Sequence, residues 1–114
     1  MENGNILYLP LYKVIWTISA RELPFPAQVA FSVPKRFFRL SVTRNLLKRR
    51  MREAYRRHKY ILYDFLNSQN IRIEFVVILK DIPVPDYRLV EKYMLEMIGK
   101  LTTEAGKTNN NVKV

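Results

Sequence analysis

Basic side chains are concentrated in one stretch of this chain, residues 35–59. The stretch holds eleven Lys and Arg residues and a single acid, Glu53, so its net charge of +10 equals that of the whole chain. Guanidinium and ammonium groups at this density bind polyanions, and Arg matches phosphate oxygens with paired hydrogen bonds. Because the rest of the chain is neutral, the charge indicates one local binding surface. The basic residues are Lys35, Arg36, Arg39, Arg44, Lys48, Arg49, Arg50, Arg52, Arg56, Arg57 and Lys59.

Residue sets for autonomous catalysis are missing from the sequence. With no cysteine, the chain has no thiol nucleophile, no disulfide and no thiolate metal ligand. Glycine occurs only at positions 4, 99 and 106, which excludes a glycine-rich phosphate loop. His58 is the only histidine and has no cluster of other ligand residues near it in sequence, so we interpret it as a core or boundary residue. The chemistry that the sequence favours is therefore binding.

Length and composition predict one folded domain. The chain has 114 residues, 48% of them hydrophobic and 12% aromatic, which is enough for a core and unlike a disordered basic tail. No apolar run reaches the roughly 18 residues of a membrane helix, and the first residues do not resemble a secretory signal. We therefore expect a cytoplasmic protein that does not bind membranes.

Hydrophobic periodicity predicts an α+β fold, a split βαβ sandwich with one mixed four-stranded sheet. The short connection between the second and third strands suggests that these two pair antiparallel. Residues 1–5 are expected to be frayed, residues 6–103 to form the single domain, and residues 104–114 to be disordered. The predicted strands cover residues 6–9, 11–19, 28–34 and 71–80, and the predicted helices cover residues 44–67 and 86–103.

The first predicted helix carries most of the basic residues. Thr43 is the expected N-cap, with Ser41 as the competing choice. Like charges four residues apart, such as Arg44 and Lys48, repel each other and weaken an isolated helix, which favours an external anion. An apolar stripe at helical spacing marks the core-facing side and comprises Leu47, Met51, Ala54, His58, Ile61, Leu62 and Phe65.

Residues 31–55, FSVPKRFFRLSVTRNLLKRRMREAY, resemble the signature of the bacterial ribonuclease P protein subunit. The resemblance continues through the strand at residues 71–79 and the last helix. Two departures stand out: Leu46 occupies a position where the family has Arg, and the chain opens at about the point where the family's first helix would end. Arg50 and Arg57 fall near Leu46 on a helical projection and are expected to supply the missing charge. The matching residues are Ser32, Val33, Lys35, Arg36, Arg44, Asn45, Lys48, Arg49, Arg52 and Tyr55.

The resemblance implies a ribosomal-protein-like fold without its first helix, in which residues 6–103 form an RNA-binding domain. It also implies a role in 5′ maturation of tRNA, in which a catalytic RNA with bound Mg²⁺ hydrolyses precursor tRNA and the protein has no catalytic residue. The partners would be that RNA and the precursor tRNA. The implied contacts with the catalytic RNA are Arg44, Asn45, Lys48, Arg49, Arg52, Lys35 and Arg36.

An aromatic strand face is the expected binding site for the single-stranded 5′ leader of precursor tRNA. Tyr12, Val14 and Trp16 share this face by strand alternation. Spacing alone favours a core role for them, whereas the family places an aromatic of its leader cleft at the position of Trp16. The alternative to the whole assignment is a general RNA- or DNA-binding module of ribosomal type with no role in cleavage.

Overall fold

The computed structural model describes residues 4–112, with side chains to residue 109. Its elements confirm the α+β class and the mixed four-stranded sheet with two helices. In chain order they are β1 (Asn5–Tyr8), β2 (Tyr12–Ile18), β3 (Ala27–Ser32), α1 (Ser41–Gln69), β4 (Ile73–Leu79) and α2 (Tyr87–Val112).

Strand β4 lies in the interior of the sheet, between β2 and β3, and the strand order is β1-β2-β4-β3. β2 is antiparallel to both β1 and β4, and β3 is parallel to β4. The expected antiparallel pairing of the second and third strands is therefore wrong. β4, with the sequence IEFVVIL, is apolar at most positions on both faces. An interior position pairs its backbone on both sides, which suits such a strand better than an edge does.

Both helices pack on the same face of the sheet. On the α1 side, the ring of Tyr55 meets the rings of Phe31 and Phe75 edge to face, with centroids 5.7 and 6.0 Å apart. On the α2 side, the hydroxyl of Tyr12 donates a 2.9 Å hydrogen bond to the carbonyl of Val90. The buried residues of the strands point to this face, and neither helix covers the opposite one in the region that the structure describes. The molecule therefore has two layers and one open sheet face.

The two helices run parallel, so their N-termini lie at the same end of the molecule. Arg50 near the start of α1 donates to the carbonyl of Pro85 just before α2, and Phe65 near the end of α1 lies against Gly106 near the end of α2. The third and fourth strands end where α1 and α2 are about to begin. Since helix N-termini carry partial positive charge, this end of the molecule favours anions.

The buried side of α1 differs partly from the predicted stripe. Ile61 is exposed and His58 and Phe65 are half-buried, whereas Tyr55 and Leu66 are buried. The reason is that α1 contacts β3 on one side and α2 on the other, so its buried arc includes residues next to the apolar stripe. The buried residues of α1 are Leu47, Met51, Ala54, Tyr55, Leu62 and Leu66.

Helix α1 begins at Ser41, two residues before the expected N-cap Thr43. Leu40 occupies the N-cap position and provides no side-chain hydrogen bond. The helix ends at Gln69, close to the expected end, and is followed by Asn70 at φ 54°, a left-handed conformation that asparagine tolerates. The backbone N–H of Asn70 bonds to the carbonyl of Asn67 and so satisfies the helix end.

The polar C-terminal segment that we expected to be disordered continues α2 to Val112. Ala105 and Asn109, four residues apart, are both buried, so the segment keeps one side in the interior for two more turns. The side-chain amide of Asn109 lies 3.5 Å from that of Gln69 at the end of α1. At the N-terminal end, Asn5 of β1 pairs with Trp16 of β2, although residues 1–5 were expected to be frayed. Residues 1–3 and 113–114 lie outside the described residues.

The two glycines of α2 have different surroundings and should respond differently to alanine. A Cβ at Gly99 would meet nothing within 4 Å, whereas a Cβ at Gly106 would lie 2.9 Å from Cζ of Phe65. We expect Gly99→Ala to raise the free energy of unfolding by about 0.5–1 kcal/mol through helix propensity. Gly106→Ala should lose part or all of that gain because the Phe65 ring must move. Urea denaturation of both variants measures the difference, and equal stabilisation would contradict the contact.

Candidate nucleic-acid interface

Four of the predicted RNA-contacting residues lie together on one flank of α1. Asn45, Lys48, Arg49 and Arg52 have the spacing i, i+3, i+4 and i+7, which places them side by side along the helix. Asn45, Arg49 and Arg52 are exposed and Lys48 is half-buried. Lys35 and Arg36, also predicted, are exposed in the loop that leads into α1. We call these six residues the basic flank: Lys35, Arg36, Asn45, Lys48, Arg49 and Arg52.

Carboxylates do not neutralise the basic flank within the region that the structure describes. The ion pairs found there join Arg21 to Glu74, Arg56 to Glu53, Arg57 and His58 to Glu91, and Lys107 to Glu104. None of them involves a cation of the basic flank. Arg36 instead lies over the ring of Phe37, 4.7 Å from its centroid. The flank is therefore a positive surface whose charge no carboxylate of residues 4–109 balances by an ion pair.

Arg44 has a different role from the other predicted contacts. Its Nη1 donates to the carbonyls of Phe38 and Arg39, at 2.9 and 2.8 Å, and the residue is half-buried. These bonds tie the first turn of α1 to the loop that carries Lys35 and Arg36. Arg44 thus positions the loop, and any contact it makes with a ligand is in addition to that role.

Arg50 and Arg57, which were expected to supply the charge missing at Leu46, both contact protein groups. Arg50 Nη1 donates to the carbonyl of Pro85 at 2.7 Å, and Arg57 Nη1 lies 3.4 Å from Glu91 Oε2. Both side chains thus point toward the start of α2, where protein groups already engage them. The helical projection placed them correctly near Leu46 but did not show that α2 packs on that side.

His58 is a boundary residue between the two helices, as interpreted from its sequence context. It is half-buried, and its Nε2 lies 2.9 Å from Oε2 of Glu91. This hydrogen bond, together with the charge of Arg57, lowers the pKa of Glu91 below its usual value. Glu91 therefore remains charged at neutral pH and binds two side chains of α1 to α2.

The three predicted leader-binding residues are not accessible. The exposed fractions of Tyr12, Val14 and Trp16 are 0%, 0% and 1%, because the helix layer covers their face of β2. The structure contradicts their assignment to a binding surface and supports the core role that their spacing alone favoured. Sequence alternation separated the two faces of β2 correctly, but both faces carry apolar residues, so spacing favoured burial of this face without excluding burial of the other.

The open sheet face contains side chains that the sequence reasoning did not select. Tyr8 of β1 pairs with Lys13 of β2, and Ile15 of β2 pairs with Val76 of β4, so these side chains lie side by side on that face. Tyr8 is 63% exposed, and the Lys80 ammonium lies 5.7 Å from its ring centroid. Strand alternation could have identified them, because Lys13 and Ile15 alternate with Tyr12, Val14 and Trp16 along β2 and therefore lie on the other face. We define the open-face set as Tyr8, Lys13, Ile15, Val76, Ile78 and Lys80.

Residues 4–112 do not contain a group of three or more His, Asp or Glu side chains placed to hold a metal ion. No helix in that range is long and apolar enough to cross a membrane.

Replacing Arg44 should affect folding, whereas replacing Arg49 should not. Arg44→Ala removes two charge-assisted hydrogen bonds to loop carbonyls, and we expect it to lower the free energy of unfolding by about 1–3 kcal/mol. Arg49→Ala removes an exposed side chain with no described ion pair and should change stability by less than about 0.5 kcal/mol. Chemical denaturation of the two variants measures both effects. Equal stability of the variants would show that Arg44 does not hold the loop.

Comparison with known proteins identifies relatives along most of the chain. The Ribonuclease P family profile matches residues 9–102. The chain is 33% identical over 100 residues to the "Ribonuclease P protein component" of two strains of Porphyromonas gingivalis, covering 88% of this chain and 72% of those proteins.

Solved structures show the same fold at lower sequence identity. The ribonuclease P protein of Thermotoga maritima superposes with a TM-score of 0.68 at 20% identity, covering 87% of this chain and 84% of that one. The Staphylococcus aureus ribonuclease P protein gives a TM-score of 0.66, also at 20% identity, with coverage of 88% and 82%. The α+β architecture described above is thus that of the family. With its basic flank in the segment that resembles the family signature, and with the profile matching nearly its whole folded part, the chain belongs to the ribonuclease P protein family.

Proposed function

We propose that this chain is the protein subunit of ribonuclease P and supports 5′ maturation of tRNA. It would bind the catalytic RNA through the basic flank and the 5′ leader of precursor tRNA through the open sheet face. The observation that carries the proposal is the basic flank, a surface of cations without carboxylate partners among the described residues. In a member of this family, an RNA backbone is the polyanion best matched to it.

The basic flank suits a phosphate backbone in charge and in spacing. Its residues on α1 cover two turns, and Lys35 and Arg36 extend the surface into the preceding loop. Arg offers paired donors that match two phosphate oxygens, and Lys adds a point charge. Asn45 both donates and accepts, which suits a ribose hydroxyl. Each phosphate neutralised releases counterions, so binding should weaken steeply as salt concentration rises.

We assign the leader site to the open-face set instead of the buried side of β2. Tyr8 is an exposed aromatic ring on which an unpaired base can stack without sequence preference. Lys13 and Lys80 are close enough to the same ring to bind the phosphates of a single strand. Ile15, Val76 and Ile78 add an apolar surface beside the ring. An aromatic platform with cations around it is the combination that binds single-stranded RNA.

The protein's part in the reaction would be to bind and orient, and the RNA partner would hydrolyse the phosphodiester. We assign Mg²⁺ to the RNA, because its phosphates supply oxygen ligands, whereas the described part of this chain has no cluster of acidic or histidine side chains. By neutralising RNA phosphates, the basic flank would reduce the repulsion between the catalytic RNA and precursor tRNA. Less Mg²⁺ would then be needed to bring the two RNAs together.

Addition of this protein to its cognate catalytic RNA should increase cleavage of precursor tRNA, most clearly at low Mg²⁺ concentration. The reason is that the protein's cations replace part of the screening that Mg²⁺ provides at high concentration. The measurement is the cleavage rate as a function of Mg²⁺ concentration, with and without protein. If the rate with protein equals the rate without protein at every Mg²⁺ concentration, the result would favour the alternative, a general nucleic-acid-binding module with no role in cleavage.

Tyr8→Ala should weaken binding of precursor tRNA to the reconstituted complex by about 1–3 kcal/mol when the substrate carries a leader. Binding of mature tRNA, which lacks the leader, should not change. Tyr60→Ala is the matched control, because Tyr60 is a similarly exposed tyrosine, at 60%, on α1 away from the sheet. The measurement is affinity for substrates that differ only in leader length. If Tyr8→Ala weakens both substrates equally, the open face does not hold the leader.

A further inference from the structure

Two of the most exposed large apolar side chains of the molecule lie where α1 begins. Val42 is 78% exposed and Leu40 is 69% exposed, the highest values among the large hydrophobic residues described. Neither belongs to the hydrophobic core or to the partly buried residues packed against it. Isolated exposed apolar residues are common and need no explanation. A pair inside a strongly charged surface is less common and suggests a ligand with apolar parts.

Basic residues precede this pair in the loop and follow it along α1. Lys35, Arg36 and Arg39 precede it in the loop and are all exposed. Within α1, Val42 lies three residues before Asn45 and seven before Arg49, so it begins the same ridge of the helix. The first turn of α1 contains no acidic residue. The apolar pair is therefore an extension of the basic flank.

We infer that Leu40 and Val42 make direct apolar contact with the RNA that the basic flank binds. This inference rests on the proposed function. Ribose rings and base faces offer apolar surface beside each phosphate, and the minor groove of an A-form helix is wide and shallow enough to expose it. Phosphate contacts supply affinity that decreases with salt, whereas an apolar contact supplies affinity that salt does not screen.

Charge complementarity favours RNA over a protein as the occupant. A protein that covered Leu40 and Val42 would also have to cover Lys35, Arg36 and Arg39, and each covered cation would need an acidic partner to offset its desolvation. An RNA strand brings a phosphate with every nucleotide and apolar sugar and base surface between them. It therefore matches both parts of the surface at once.

The test compares salt titrations of binding to the cognate catalytic RNA for three variants of the full chain. The double variant Leu40→Ala/Val42→Ala should bind about tenfold more weakly at every salt concentration, with the slope of log affinity against log salt unchanged. Arg49→Ala should make that slope shallower by about 0.7–0.9, since it removes one phosphate contact. Leu95→Ala, which truncates an exposed leucine of α2, should bind like the unmodified protein.

Folding is monitored by thermal unfolding, and the midpoint should stay close to that of the unmodified chain because both side chains are exposed. Affinity of the double variant within twofold of the unmodified protein would overturn the inference and leave the proposed function standing. So would a loss of affinity accompanied by a shallower salt slope, because it would mean that charge contacts were lost instead. If the unmodified chain does not bind the RNA, the proposed function and this inference both fail.

Discussion

The fold depends on the packing of α1 against the sheet. This helix has to hold many like charges at helical spacing, such as Arg44 with Lys48 and Lys48 with Arg52, each pair costing roughly 0.2–0.5 kcal/mol. Six buried side chains face the core on its other side, and burying each of the three leucines and the methionine among them contributes about 1.5–3 kcal/mol. Burial therefore outweighs repulsion by a wide margin. Tyr55, packed against Phe31 and Phe75, joins the helix directly to β3 and β4.

The same packing divides five of the six arginines of α1 among three tasks. Arg44 holds the preceding loop, and Arg50 and Arg57 bind to groups at the start of α2. Arg49 and Arg52 lie on the flank that no protein element covers in the described structure. Arginines that look equivalent in the sequence thus make different contacts once α2 packs against one side of α1. Substitutions along α1 should accordingly separate into effects on stability and effects on the proposed RNA binding.

Placing both helices on one face of the sheet also leaves the opposite face, the proposed leader site, uncovered in the described structure. The covered face buries Tyr12, Val14 and Trp16 in the core. On the other face, Tyr8 is exposed beside Lys80. Lys13 lies next to Tyr8 on that face, and Ile15 lies next to Val76. Because α1 and α2 run parallel, their positive ends lie at the end of the sheet where the basic loop leaves β3. The apolar pair Leu40 and Val42 lies at that same end.

The sequence by itself determined the elements, the concentration of charge and the family signature. These depend on local information: the period of the apolar residues, the residues of each turn, and a basic stretch that is recognisable without coordinates. It also determined which side chains share a face of β2, since alternation along a strand is independent of the rest of the fold. The family resemblance singled out Asn45, Lys48, Arg49 and Arg52, and their spacing in α1 places them on one flank.

Only the tertiary structure decided which of two similar faces is covered. Both faces of β2 carry apolar residues, so the packing of α2 against Tyr12 could not be derived from strand spacing. The interior position of β4, the engagement of Arg50 and Arg57, and the extension of α2 to Val112 also depend on contacts between residues far apart in sequence. Local sequence patterns indicate which side chains of a segment can be buried together. The packing of distant segments determines what each one does bury, and therefore which side chains remain exposed to bind a partner.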